Sequence, residues 1–302
     1  MKPVELKGII SPILTPMYED GSLNLDELKV QVDRMIDNGV HGIFAFGTNG
    51  EGYILSSSEK RTVLEAVVKQ TNGRVPVYAG TGAISTQETI EQSQMAKEVG
   101  ADVLSIITPS FAAASQEELY IHFKTVAESV DLPIVLYNIP ARTGNSIDPS
   151  TVERLSQIEN IIGVKDSSGN FANILAYIKA GEAKKNSKFY TFSGNDQLII
   201  WTLLAGGTGG IAGCANVYPQ TMASIYDLFI EGKNEEARNM NDRIQTLRSC
   251  FKYGNPNTII KTATRLLGYE VGPCRAPFNH VSEEGIQALK AVIEDNQSKE
   301  IF

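Results

Sequence analysis

Among the residues that close the short apolar runs of the 302-residue sequence, one is a lysine: Lys165 comes after Ile161, Ile162, Gly163 and Val164. A lysine at the end of a buried strand is stripped of hydration, and burial favours the neutral amine over the ammonium. A neutral amine attacks a carbonyl carbon, and the iminium that forms is an electron sink that stabilises a carbanion on the neighbouring carbon. The competing role is structural, an ion pair with Asp166 at the strand end, and position alone leaves both open. Tyr137 ends the preceding apolar run, PIVLYNIP at 133–140. Its phenol points into the same mouth, where it could shuttle protons, if the two side chains occupy matching layers of a barrel. Taken alone, it reads equally as a core aromatic with a capped hydroxyl.

The segment GTNGEG at 47–52 lacks the Lys-Ser/Thr ending of a phosphate loop, and its glycines are not in dinucleotide-binding order. Its backbone N–H groups, the Thr48 hydroxyl and the Asn49 amide suit a small carboxylate, unless the segment is an ordinary tight turn before a helix. GGTGG at 206–210 could hold a phosphate, although close packing is the simpler cause. His41, His122 and His280 are scattered, so metal-dependent chemistry is disfavoured and no metal is expected. There is no G-x-S-x-G elbow. Cys214, Cys250 and Cys274 are far apart and fit neither a disulfide framework nor a zinc site. Reduced thiols and a cytoplasmic location follow as the expectation.

Positioning such residues requires a scaffold, and the sequence supplies a repeating one. Eight short apolar runs recur, at 8–16, 42–48, 75–82, 102–109, 133–140, 161–168, 189–196 and 209–217, with helical spacing between them. The segment at 56–70 opens on serines followed by Glu59; those at 85–100 and 115–130 start with Ser and Glu three residues apart. Connections this long are crossovers rather than hairpins. The pattern predicts an α/β chain closed into a (β/α)8 TIM barrel, a doubly wound open sheet being the alternative. Residues 1–220 are assigned to the barrel, and 221–302 to a C-terminal helical subdomain packed on it. Three helical stretches are expected between 218 and 296. Barrel enzymes work at the C-terminal ends of their strands. There lie Tyr137, Lys165, the GTNGEG turn, and Gly194 and Asp196 of SGND.

With 35 acidic against 27 basic residues and a formal charge of −8, the chain has no broad basic surface for nucleic acid or an anionic membrane. The opening stretch MKPVELKGIISPILTP is interrupted by proline and reads as neither signal peptide nor membrane span.

Five segments in one order, GTNGEG at 47, YNIPARTG at 137, VKDSSG at 164, SGND at 193 and GPCRAPF at 272, together resemble the dihydrodipicolinate synthase and N-acetylneuraminate lyase family. The resemblance covers nearly the whole chain. It implies a class I, Schiff-base-forming lyase or aldolase on a TIM barrel, assembled as a homo-oligomer, a tetramer or dimer. The implied substrate is a small 2-oxo acid such as pyruvate, with no metal or organic cofactor. Carried over by residue, it makes Lys165 the imine-forming lysine and Tyr137 the acid/base phenol. Thr48 and Asn49 become the holders of the pyruvate carboxylate. Arg142 matches an arginine that the synthase branch uses for a second carboxylate, and Gly194, Asp196 and Gly213 complete the implied substrate-binding set.

The chain departs from each branch. Where the synthases carry two threonines it has Thr48 and Asn49, and where their PYYN-type loop carries a tyrosine that reaches a neighbouring subunit it has Phe111 after Ser110. The sialic acid lyases carry Asp-Glu where this chain has Asp196 and Gln197, and a serine where it has Gly213. The resemblance therefore places first an aldolase for a 4-hydroxy-2-oxo acid or 2-keto-3-deoxy sugar acid. The alternatives are 4-hydroxy-tetrahydrodipicolinate synthase or N-acetylneuraminate lyase, and more remotely a non-catalytic regulator that binds a 2-oxo acid, which would not need both Lys165 and Tyr137.

Overall fold

The protein is described by a computed structural model over residues 4–185 and 187–301. Its strands are β1 (Gly8–Ser11), β2 (Gly42–Ala45), β3 (Val77–Gly80), β4 (Val103–Ile107), β5 (Ile134–Asn138), β6 (Ile161–Asp166), β7 (Tyr190–Ser193) and β8 (Gly209–Ile211). Each falls inside one of the eight apolar runs. They close into a parallel barrel in sequence order, as the alternation predicts. The intervening helices are α1 (Leu25–Asp37), α2 (Ser57–Thr71), α3 (Thr86–Val99), α4 (Gln116–Ser129), α5 (Pro140–Thr143), α6 (Pro149–Ser156), α7 (Phe171–Gly181) and α8 (Ile199–Leu204).

Capping residues set the helix starts. Ser56 and Glu59 exchange hydrogen bonds across the first turn of α2, and Ser115 and Glu118 do the same for α4. Ser85 accepts the Glu88 N–H at the start of α3, while the Glu88 carboxylate accepts from Gln92. The strands are buried on both faces, as parallel strands flanked by helices must be.

Contacts divide the chain into two compact units, one built mainly of Pro76–Ile211, the other of Gly8–Val75 and the chain from Ala212 onward. In the first, β5 and β6 pair with one irregularity: Ile134 stands opposite Ile161, but Val135 stands opposite Gly163. Ile162 is thus the extra residue of a β-bulge, and beyond it Tyr137 pairs with Lys165.

In the second unit, five helices rather than three follow β8 among the described residues: α9 (Pro219–Ile230), α10 (Asn234–Arg243), α11 (Gln245–Ser249), α12 (Pro256–Leu266) and α13 (Glu283–Ser298). The extra breaks have local causes. Gly232 follows α9 in the left-handed region at φ 79, and Pro256 restarts the chain as the first residue of α12.

A buried ion pair connects α12 to the GTNGEG turn. Lys261 and Glu51 are 1% and 0% exposed, and their Nζ and Oε1 atoms are 2.6 Å apart. The Lys261 ammonium also donates to the Thr15 carbonyl at 2.8 Å, and the second Glu51 oxygen accepts the Arg275 N–H at 2.8 Å. Arg275 in turn places its guanidinium on Glu59 and on the Gly21 carbonyl.

Removing one partner of such a pair strands the other charge in the interior, at a cost of about 3–5 kcal/mol. Lys261→Met is therefore expected to lower the unfolding free energy in urea by about that amount. Adding Glu51→Gln should return part of the loss, and a double variant less stable than the single would contradict the account. The half-buried Glu59 gives a pH signature. Its carboxyl is pulled from 4.5 to about 2, first by the Arg275 guanidinium, with Ser56 helping and desolvation opposing. A depressed carboxyl stabilises the fold above its unfolded value and stops doing so as pH falls through its folded value. The stability difference between the protein and Glu59→Gln should thus be constant above pH 5 and shrink between roughly 4.5 and 2, as read by urea titrations across that range.

Candidate active site

Side chains alternate along a strand, so Lys165 and Asp166 of β6 face opposite ways. Asp166 is fully buried and takes hydrogen bonds from Asn138 at 2.7 Å, Asn173 at 3.0 Å and Ser168 at 2.6 Å. Three donors satisfy its carboxylate on the face away from Lys165. The structural alternative of a Lys165–Asp166 pair gives way to this network, which anchors the strand end. Lys165 itself is 4% exposed, and its Nζ lies 3.9 Å from the centre of the Tyr137 ring, also 4% exposed. The sequence therefore identified two side chains that the fold brings into contact. Their proximity follows from the paired register of β5 and β6.

Gly194 explains the glycine of SGND. A Cβ there would sit 1.9 Å from Ser167 Oγ and 2.8 Å from Lys165 Cε, so a side chain would displace the lysine. Its N–H donates to the Asp166 carbonyl at 2.7 Å, which ties the end of β7 to the end of β6. Asp196 is buried and opens the short turn before α8, with Asn195 capping that turn through the Gln197 N–H. Arg142 is exposed on α5, which directly follows β5.

In the other unit, Thr48 and Asn49 are half-buried in the turn after β2. Gly213, after β8, lies against Asn49: a Cβ at 213 would be 2.7 Å from Asn49 Nδ2. The structure thus brings together two residues 164 positions apart that the sequence named separately. The turn is strained, with Phe46 at φ 67 and Glu51 at φ 55. Left-handed backbone at residues with side chains persists only where surroundings over-determine it, and here the Glu51 carboxylate is pinned by Lys261 and Arg275.

Phe111 is 99% exposed at φ 79 in the loop after β4. Asn145 braces that loop by donating to the Pro109 and Ala112 carbonyls at 2.9 and 2.8 Å and accepting the Ala114 N–H at 2.8 Å. The aromatic ring is held out by its support, with no hydroxyl to exchange a proton.

Sequence reasoning missed Glu51, Lys261 and Asn145. A signal for Glu51 existed, since a carboxylate inside a turn suited to anions needs its own counter-charge. That counter-charge lies 210 residues away. Among the described residues, no group of three or more His, Cys, Asp or Glu could hold a metal ion. No helix among them is long and apolar enough to cross a membrane.

Comparison with known proteins now bears on this geometry. The model of the dihydrodipicolinate synthetase family matches residues 5–296. A 4-hydroxy-tetrahydrodipicolinate synthase of Methanopyrus kandleri is 37% identical over 289 residues, covering 95% of both chains. The crystal structure of the chloride-inhibited dihydrodipicolinate synthase from Acinetobacter baumannii with pyruvate superposes with a TM-score of 0.92 at 33% identity, covering 99% of this chain and 100% of the other. A prophage protein of the same family from E. coli K12, also complexed with pyruvate, gives 0.92 at 31% identity, over 98% and 99%. The chain belongs to the dihydrodipicolinate synthetase family, and is an enzyme of its class I lyase type, which works through a pyruvate Schiff base and needs no cofactor.

Proposed function

We propose that Lys165 forms the imine with pyruvate and that the physiological reaction is condensation with aspartate semialdehyde, the 4-hydroxy-tetrahydrodipicolinate synthase reaction. One observation carries the chemistry: a buried lysine nitrogen 3.9 Å above the ring of a buried tyrosine at the paired ends of β5 and β6. The names of the relatives favour this condensation over the sugar-acid or 4-hydroxy-2-oxo acid cleavage that the sequence placed first.

In the proposed reaction the Lys165 amine adds to the 2-oxo carbon, and the carbinolamine loses water to give the iminium. Loss of a C3 proton then leaves an enamine, whose carbon attacks the aldehyde; the new alkoxide takes a proton, and the amino group of the second substrate adds to the re-formed iminium and expels the Lys165 amine, which closes the ring. Tyr137 moves the protons between these steps. Thr48 and Asn49 hold the pyruvate carboxylate through the hydroxyl, the amide and the N–H groups of their turn. Asn49 leaves room for that role by packing against a residue without a side chain, Gly213. Gly194 keeps the path of the lysine open, Asp196 lines the loop after β7, and Arg142 is the group for a second carboxylate. Three buried cysteines outside any disulfide support a cytoplasmic setting, and an apolar ring as exposed as Phe111 supports a homo-oligomer that covers it. One relative, 28% identical, is described as a monomeric variant, so the assembly is a question for light scattering.

A second reading is favoured by Phe111. A phenylalanine cannot pass a proton, whereas cleavage of a 4-hydroxy-2-oxo acid calls mainly on Lys165 and Tyr137. There the phenol takes the 4-hydroxyl proton, and the electron pair of the breaking C3–C4 bond enters the iminium.

Pyruvate with borohydride should modify Lys165 covalently and inactivate the enzyme, and peptide mapping should find the adduct there. Lys165→Arg should fold and lose turnover, because a guanidinium stays charged and forms no imine. An adduct elsewhere, or turnover retained, would contradict the assignment. The two readings separate on kcat/KM for condensation and cleavage measured side by side. Condensation faster by tenfold or more supports the synthase; a proton relay is worth about 10²–10⁴-fold, so cleavage ahead by that margin assigns the aldolase.

A further inference from the structure

Lys184 lies beyond the end of α7, and its Nζ approaches four main-chain carbonyl oxygens: Ser156 at 2.8 Å, Ile158 at 3.0 Å, Glu159 at 3.2 Å and Ile161 at 3.1 Å. An ammonium carries three protons, so four acceptors cannot each take a straight bond of their own. Carbonyl oxygens ringed about one positive centre bind it by charge and size, as they bind a dehydrated potassium ion. The Ser156 carbonyl also ends α6, where the helix dipole is negative. Burial lowers the pKa of Lys184 and the Glu159 carboxylate opposes that shift.

The cage encloses the turn that launches β6. From the other side the same turn is held by Asn160, whose Nδ2 donates to Ala127 at 2.9 Å, Val130 at 3.0 Å and Leu132 at 3.3 Å. Immediately beyond the last caged carbonyl comes the bulge at Ile162. The bulge decides which residue of β6 meets Tyr137. With it the partner is Lys165; without it, counting on from the Ile134–Ile161 pair, Val164 would stand there. A slip of one residue turns every side chain to the other face, and Lys165 would leave the barrel interior.

We propose that the Lys184 ammonium is a tethered monovalent cation, a positioning residue that fixes the bulged start of β6 and so delivers Lys165 to Tyr137. The cage left when Lys184 is removed takes a weakly hydrated monovalent cation of potassium size. The inference rests on the reading of Lys165 as the imine-forming lysine, and its test separates the two.

Lys184→Ala is compared with the unaltered protein in potassium chloride and in lithium chloride at equal ionic strength, for Tm, kcat and pyruvate–borohydride trapping. In lithium the variant should melt lower, and its kcat should fall on the order of 10²-fold, the effect of a displacement near 1 Å at a reacting group. Potassium should restore Tm and recover kcat by about tenfold or more, whereas the unaltered protein should not distinguish the salts. A variant whose Tm and kcat are the same in both salts overturns the cage. A Tm that follows potassium while kcat and trapping do not overturns the positioning role. If the unaltered protein traps no pyruvate at Lys165, the proposed function fails, yet the Tm comparison still reads the cage. Should Lys184→Ala not fold in lithium, Lys184→Gln, whose neutral amide can reach two of the carbonyls, undergoes the same comparison. Failure of both variants to fold even in potassium overturns the proposal.

Discussion

Strand β6 can run against β5 in only one register if a lysine is to face the barrel interior, and that constraint orders the rest of the first unit. The bulge at Ile162 sets it, the pairing of Tyr137 with Lys165 expresses it, and the network around Asp166 locks it from the outer face. A buried polar group on each face of one strand is costly unless both are provided for. Here the outer carboxylate receives three polar donors, while the lysine on the inner face meets an aromatic ring and a glycine that leaves it space. The polar residues of KDSSG therefore face two ways, Asp166 and Ser168 into the outer network and Lys165 toward Tyr137.

The second unit solves a related problem. The GTNGEG turn and its approach run through a conformation that residues with side chains resist, and Phe46 and Glu51 both take it. What holds the turn is the Glu51 side chain, buried against Lys261 and the Arg275 N–H. A glycine-rich turn that buries its own glutamate looks contradictory in sequence. In space the glutamate is provided for by Lys261 and the Arg275 N–H, while the Glu51 and Gly52 N–H groups close the turn on the Thr48 and Gly47 carbonyls.

How much of this the sequence shows depends on the range of each interaction. Strands and helix caps are local, and the serines at 56, 85 and 115 and the eight apolar runs are read correctly from their neighbours alone. Lys165 is legible for the same reason, since its apolar approach is contiguous. The helices after β8 are less so, because breaks at single residues such as Gly232 do not interrupt the amphipathic pattern. Lys184 is invisible in sequence because its partners are backbone carbonyls, which every residue has. Lys261 is invisible because its partner is 210 residues earlier. Residues with side-chain chemistry announce themselves; residues that hold backbone in place do not.

That separation also has a temporal side. A chain emerging from the ribosome at about 5–20 residues per second leaves Glu51 without its counter-charge for on the order of 10–40 s, the time to reach Lys261. Until then the nascent turn keeps its carboxylate in water, so the strained conformation at Glu51 has nothing to hold it. The turn that is buried in the folded chain is, during synthesis, an open acidic loop, and the late helix α12 brings the charge that lets it close.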